Sequence, residues 1–448
     1  MRTNTKAPAV PHPRTHEGAP AARIGADAEL RRSVMACLLW EDTFYESGVA
    51  IADRIAALCN EVEPVTVAQI AVEARTRMKL RHVPLLLART LAARAVNVAP
   101  LLAQIVQRPD ELTEFLALYW KDKRQPLAAS VKRGLAAAFR KFNAYQLAKY
   151  NREEVVKLRD VLFLCHAKPK DEEQAATWKQ LVAGTLPAPD TWEVALSGGA
   201  DKRETFTRLM AEGKLGALAL LRNLRNMQQT KVEDAAIRAA LATVKVERVL
   251  PFRFLSAAKY APSLEDALEA AMFRCLDGAD KLPGKTALIV DGSGSMFGAK
   301  VSAKSELDRF DAASALAILV REVCAQVAVY VFSVNTYAVP PRRGFALRDV
   351  LRQSAEHSGT NTETALRAAA SQGYDRCIVI TDEQSHQTVS GPLPNTRGYF
   401  INVASYQNGV GYGKWTHIDG WSEAILDYIR ASEGLVPEPI QTNHDQAT

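Results

Sequence analysis

Asp291-Gly292-Ser293-Gly294-Ser295 directly follows the apolar run Thr286-Ala287-Leu288-Ile289-Val290 and precedes Met296. An apolar run of this length reads as a buried parallel strand. One carboxylate and two hydroxyls at alternating positions after it offer the oxygen ligands that a hard divalent cation such as Mg²⁺ takes. The glycines let the backbone turn between those ligands. A phosphate-binding loop would need Gly-x-x-x-x-Gly-Lys-Ser/Thr, and no Lys-Ser/Thr pair follows these glycines. A phosphatase that forms an aspartyl phosphate would place a second Asp where Ser293 stands. A plain strand-to-helix turn accounts for the glycines alone.

The five residues resemble the Asp-x-Ser-x-Ser signature of von Willebrand factor A-type (vWA) domains. The resemblance implies two more ligands from later loops. Thr360, in Ser358-Gly359-Thr360-Asn361-Thr362, fits the first; Asp382, after the apolar run Ile378-Val379-Ile380-Thr381, fits the second. The expected site is therefore Asp291, Ser293, Ser295, Thr360 and Asp382, holding Mg²⁺ or another divalent cation. With so few negative ligands, some contacts would run through water, and a replaceable water leaves room for an acidic side chain or phosphate of a partner. Glu383 has the residue type of a general base, but no Ser-His arrangement, second metal cluster or His-Glu-x-x-His accompanies it. His386 and His417 read as isolated. Binding is expected, with no catalytic residue.

The elements that must position these residues alternate. Strands are expected at 286–290, 327–332, 377–381 and 398–403, and helices at 308–324, 345–355, 362–371 and 421–431. This is the pattern of a doubly wound parallel sheet. Such sheets bind ligands beyond the carboxyl ends of their strands, where Asp291 and Asp382 both lie. The α/β domain is placed at 285–436, with the junction at 275–284.

Ahead of it, 26–274 reads as helix. Ala and Leu dominate, and breaks fall at Pro64, Pro84, Pro100, Pro109, Pro126, Pro169 and Pro262. Prolines at this spacing fit the first turns of successive helices. Helices of one to two dozen residues joined by short turns predict a HEAT-like stack of helix pairs, although no repeat of fixed period is visible. The chain is thus expected to be multidomain: an all-α helical-repeat domain at 25–275 followed by the α/β domain. Residues 1–24 are expected to be a disordered tail, without the apolar core of a secretory signal, and 437–448 a flexible tail. No apolar run approaches a membrane span. The six cysteines (Cys37, Cys59, Cys165, Cys275, Cys324, Cys377) are scattered without a Cys-x-x-Cys pair, which argues against zinc and for reduced thiols in the cytoplasm.

The charge is uneven. Residues 285–448 carry 14 Lys and Arg against 17 Asp and Glu; with +6 on the whole chain, residues 1–284 carry +9. Between Lys121 and Arg159 there are 11 basic residues and three acids. That density is a footprint for a polyanion. Within it Leu127, Val131, Leu135 and Phe139 recur every four residues and predict a buried helix stripe. Arg133 and Arg140 then share the opposite face, flanked by Lys132 and Lys141, while Lys121, Lys123, Arg124 and Lys149 extend the basic surface. Tyr119, Trp120, Tyr145 and Tyr150 are nearby candidates for base stacking, competing with a core role.

Four segments resemble motifs of the TROVE domain: Leu158–Pro169, Thr191–Ser197, Ala217–Met227 and Leu250–Phe254. A TROVE domain followed by a vWA domain resembles the Ro autoantigen family in its bacterial form, over roughly residues 25 to 430. The resemblance implies a ring-shaped, monomeric and non-enzymatic RNA-binding protein. Small non-coding Y or Y-like RNA would lie on the basic outer surface, and single-stranded 3′ ends of misfolded RNA in a central cavity. An exoribonuclease such as polynucleotide phosphorylase is the implied partner. His166 matches a family histidine near the Y RNA surface, Arg133, Arg140 and Lys149 fall on the family's basic helices, and Arg222 and Arg225 are expected at the cavity. Gly294 stands where vertebrate Ro proteins have Ala, which brings the loop nearer the general vWA signature. The alternative function is a protein-interaction scaffold that docks an acidic partner residue on the metal.

Overall fold

The computed structural model describes residues 13–15, 18–21, 24–35, 48–76, 80–246, 249, 251–276, 281–298, 300, 301, 307–404, 409–411, 413–419 and 424–435. The first part is helical: α1 (Ala26–Met35), α2 (Gly48–Glu61), α3 (Pro64–Thr76), α4 (His82–Ala93), α5 (Ala99–Ile105), α6 (Asp110–Tyr119), α7 (Ala129–Phe139), α8 (Ala144–Tyr150), α9 (Leu158–Cys165), α10 (Glu172–Ala183), α11 (Trp192–Ser197), α12 (Lys202–Ala211), α13 (Ala217–Gln229), α14 (Asp234–Thr243), α15 (Pro251–Tyr260) and α16 (Glu265–Arg274). The helices are shorter than expected, from 6 residues in α11 to 14 in α2. Pro64, Pro84 and Pro100 do stand in the first turns of α3, α4 and α5, whereas Pro109, Pro126 and Pro169 fall in the connections before α6, α7 and α10.

Packing is in two rows, as in a helix-pair stack. α1, α3, α5 and α7 follow one another in one row and α2, α4 and α6 in the other; after α10, α13 and α15 form one row and α12, α14 and α16 the second. The expected stripe of α7 is buried at Leu127, Val131, Leu135 and Phe139. α5 and α7 approach so closely that a Cβ on Gly134 would lie 2.8 Å from Leu102 Cβ and 3.0 Å from the Ala99 backbone. Gly134→Val is expected to lower stability by about 1–3 kcal/mol through overpacking. A melting temperature equal to that of the parent chain would show that the two helices give way.

The second part contains β1 (Leu282–Asp291), α17 (Arg309–Val323), β2 (Cys324–Phe332), β3 (Thr336–Val339), α18 (Gly344–Ser354), α19 (Thr362–Ala370), β4 (Arg376–Thr381), β5 (Arg397–Asn402), β6 (Thr416–Asp419) and α20 (Ala424–Ser432). The sheet order is β3-β2-β1-β4-β5-β6. All neighbours are parallel except β2 and β3. The short edge strands β3 and β6 escaped the sequence pattern, because four residues carry too little periodicity to register. β1 also starts inside the expected junction, at Leu282. Gly284, at φ 80°, breaks its register with β2 between Leu282 and Lys285.

Alternate residues of the strands enter two different cores. Ala287, Ile289, Val379 and Phe400 face α19 and Trp415. Leu288, Val290, Ile378, Ile380 and Ile401 join one continuous core that includes α17 and runs on into α12–α16, from Phe206 to Met272. A separate core spans Leu30 to Leu181. The apolar core therefore divides between α10 and α12, not at the 275–284 junction between helical and α/β chain. α17 is buried nearly all round because it lies between the sheet and α15.

The α/β unit also meets the other end of the helical array, where α1 packs beside β6. The tail expected to be disordered is docked where it is described: Thr15, Ala19 and Ala21 are buried, and Thr15 Oγ1 donates to the Ser385 carbonyl at 3.2 Å. The C-terminal tail, 437–448, lies outside the described residues.

Candidate functional site

β1 and β4 are hydrogen-bonded neighbours, with Val290 opposite Ile380. Asp291 ends β1 and Asp382 follows β4, so both carboxylates emerge at the same sheet edge. Main-chain hydrogen bonds pin the three loops together. Gly294 N donates to Ser358 O at 2.7 Å, His357 N to Gly292 O at 3.2 Å, and His386 N to Thr360 O at 3.2 Å. The glycines are needed for this approach, since a Cβ on Gly292 would lie 2.8 Å from Ala355 Cβ and one on Gly294 3.2 Å from the His357 carbonyl.

The side chains of all five expected ligands lie on these loops. Asp291 Oδ1 accepts from Ser293 N at 2.8 Å and Oδ2 from Thr381 Oγ1 at 2.5 Å. Ser293 Oγ is 3.3 Å from Ser295 Oγ. Asp291, Ser293, Thr360 and Asp382 are buried and Ser295 half-buried. Burial, and then the charge of Asp382, push the Asp291 carboxyl well above the usual carboxylate range. Hard oxygen donors around two crowded carboxylates fit a divalent cation, which would relieve that repulsion. Among the described residues no group of three or more His, Cys, Asp and Glu side chains is arranged to hold a metal ion. Cys59, Cys165, Cys275, Cys324 and Cys377 are free thiols, while Cys37 lies outside the described residues.

Two charged neighbours, Arg309 and Arg32, were missed in the sequence, and two others, Glu383 and His417, were read there without their partners. Arg309, in the buried first turn of α17, places Nη1 3.4 Å from Asp382 Oδ2. Glu383, whose type suggested a base, is instead fully buried and ion-paired with Arg32 of α1. His417 is not isolated either: its Nε2 lies 2.7 Å from Glu383 Oε1 and 2.9 Å from Arg32 Nη1. Burial acts to raise the Glu383 pKa, but the charges of Arg32 and then His417 outweigh it and hold the carboxyl at about 2. Gly409 and Gly411 pack over this carboxylate, where a Cβ would overlap it. Arg32 lies 351 residues from Glu383 in sequence, so no local spacing announced the pair.

The expected RNA-facing residues separate into two kinds. Lys121, Lys123, Arg124 and Arg133 are exposed, and Lys132 is half-buried beside them on α7. Arg124 stacks 5.1 Å from the Trp120 ring centroid, and Lys149 sits 5.9 Å from that of Tyr150. Arg140 and Lys141 hold structure as well. Arg140 Nε donates to the Lys168 carbonyl at 2.7 Å, and Lys141 Nζ donates to the Ala103 carbonyl at 2.6 Å and to that of Val106, at the end of α5. His166 is exposed at φ 52° as the left-handed cap of α9, which gives it a backbone role. Of the aromatic candidates, Tyr119 is core, Trp120 donates Nε1 to the Gln125 carbonyl at 2.8 Å, Tyr150 lies under Arg108, and Tyr145 is exposed.

Arg222 and Arg225 are exposed on α13, which packs against α15. Arg253 of α15 joins them. Burial, and then the nearby charge of Arg222, disfavour its protonated form. The sequence signal for Arg253 was its place in the Leu250–Phe254 motif. Arg225 lies 5.5 Å from the Tyr260 ring centroid and Arg253 4.7 Å from that of Phe252, so these arginines rest on aromatic faces.

Comparison with known proteins matches this architecture. A crystal structure of the Deinococcus radiodurans RO (RSR) protein superposes with a TM-score of 0.59, covering 92% of this chain and 100% of that one at 17% identity, a likeness of fold. "Telomerase protein component 1" of Mus musculus is 33% identical over 102 residues, which is 21% of this chain and only 4% of that protein's length. The TROVE domain model matches residues 33–185 and 171–283, so α2 to α16 and the two basic surfaces all fall within it. With more than half its length accounted for in this way, the chain belongs to the TROVE domain family.

Proposed function

We propose that this chain binds small non-coding RNA of the Y or Y-like class along the exposed basic surface of Lys121, Lys123, Arg124, Lys132 and Arg133, with Lys149, Arg140 and His166 at its border. Single-stranded 3′ ends of structured or misfolded RNA would engage Arg222 and Arg225, joined by Arg253. The protein acts in RNA quality control or processing without catalysing a reaction, and an exoribonuclease such as polynucleotide phosphorylase is its partner. The observation that carries this reading is the TROVE match across the whole basic region. The α/β unit touching both α1 and α15 supports a closed, monomeric ring.

The α/β unit is read as a vWA-type domain in which Asp291, Ser293, Ser295, Thr360 and Asp382 would hold Mg²⁺. The bound ion would supply an electrophile for an acidic side chain or phosphate. Mn²⁺ binding that is lost in Asp291→Ala tests this assignment.

The RNA reading is tested by fluorescence anisotropy with a hairpin RNA carrying a 3′ tail. Binding is expected to be tight at low salt, to weaken steeply as salt rises, and to leave the RNA uncut. A free heparin competitor that displaces the RNA at equal charge concentration would sink it.

A further inference from the structure

The segment 381–385 beside the candidate metal site is tied to both ends of the helical array. Asp382 faces Arg309 in the first turn of α17. The same turn carries Asp311, which accepts from Lys259 of α15 at 2.5 Å and from Arg352 at 2.8 Å. Glu383 is paired with Arg32 of α1, and the Ser385 carbonyl accepts from Thr15. One hydroxyl joins these interactions to the ligands: Thr381 Oγ1 accepts from Glu383 N at 3.0 Å and donates to Asp291 Oδ2 at 2.5 Å.

We propose that divalent-cation binding at Asp291 and Asp382 and docking of the N-terminal segment (Thr15 and α1) onto the α/β unit form one coupled equilibrium. Arg32 is the positioning residue, acting through Glu383. This inference rests on the metal reading above. Glu383 is buried and sits at φ 61°, a conformation a non-glycine residue keeps only when its surroundings impose it. If α1 leaves, the carboxylate loses its guanidinium partner while enclosed by protein, a state costly enough to force the loop to rearrange. That movement carries Asp382, the preceding residue, and the Thr381 hydroxyl that orients Asp291. In the other direction, a cation that fixes Asp291 and Asp382 fixes Glu383 where Arg32 meets it. Linkage makes the two effects equal: the factor by which the ion strengthens docking is the factor by which docking strengthens ion binding. Metal would thereby control whether the first end of the helical array stays fastened to the α/β unit.

The experiment uses the full chain with the metal alone. Mn²⁺ affinity is measured by electron paramagnetic resonance, and hydrogen exchange of residues 24–35 is followed with and without saturating Mg²⁺. Arg32→Met is expected to weaken Mn²⁺ binding at least roughly fivefold, the low end of usual coupling factors, with Arg32→Lys recovering part of the loss. In the unsubstituted chain, Mg²⁺ is expected to slow exchange in 24–35 by a similar factor while leaving α5 and α7 unchanged. This second measurement does not depend on how well the Arg32 variant folds. Exchange in 24–35 that ignores a demonstrably bound ion overturns the coupling and leaves the metal site standing. Absence of Mn²⁺ binding to the unsubstituted chain removes the metal reading, and the coupling with it.

Discussion

Glu383→Gln is expected to destabilise the chain by about 3–5 kcal/mol, because removing one partner of a buried ion pair strands the other charge. Arg32 is 1% exposed and Glu383 0%. Water therefore cannot screen or solvate the guanidinium left behind, and the adjacent His417 gives no compensating negative charge. Arg32→Met alone should cost a similar amount for the converse reason. The double variant Arg32→Met with Glu383→Gln should recover a large part of either loss, since two neutral side chains of similar size leave no stranded charge. The measurement is a double-mutant cycle in urea, following the transition that reports on the α/β unit. Single variants that each cost less than about 1 kcal/mol, the range of exposed pairs, would mean that the pair is open to water in solution.

What the sequence revealed and concealed follows from the reach of each physical signal. Helices between Ala26 and Arg274 were legible because side-chain periodicity and proline punctuation are local. β1 and β4 were legible because strands covered on both faces are continuously apolar. The ligand loops lay next to those strands, so Asp291 and Asp382 could be placed without knowing the fold. Arg32, Arg309 and His417 had no such anchor, since each acquires its role by meeting the 382–383 segment across a tertiary boundary. The docking of Thr15 was concealed for the same reason: a polar, proline-containing segment can be ordered by a surface far away in sequence. On α7, the helical period put Arg133 away from the stripe, whereas Arg140 caps the helix, which ends at Phe139, and Lys141 follows it. The period could not say which of these long side chains reach back to a carbonyl. That distinction bears on which charges are available to RNA.

Neutralising Lys123, Arg124 and Arg133 together as Gln should cut RNA affinity roughly 10- to 1000-fold at low salt, assigning about 1 kcal/mol or somewhat more to each phosphate interaction removed. The more diagnostic result is the salt dependence. Each such interaction adds about 0.7 to 0.9 to the slope of log affinity against log salt, so removing three should flatten it by about two to three units. The fold should survive, because these three side chains are exposed and none holds a buried carbonyl among the described hydrogen bonds. Arg140→Gln and Lys141→Gln make the contrast. Lys141 closes the carbonyl end of α5 and Arg140 braces the Lys168 carbonyl, so their loss should lower the melting temperature as well as any RNA affinity. Arg222→Gln with Arg225→Gln should act differently again, reducing the preference for tailed over blunt RNA while leaving the binding of a blunt hairpin nearly intact. If the triple variant keeps both the affinity and the slope of the parent chain, the basic tract from Lys121 to Arg133 is a solvated face and the RNA site lies elsewhere. If instead all three sets lower binding equally for tailed and blunt RNA, the two surfaces serve one general polyanion site. The assignment of separate roles to α7 and α13 would then fail.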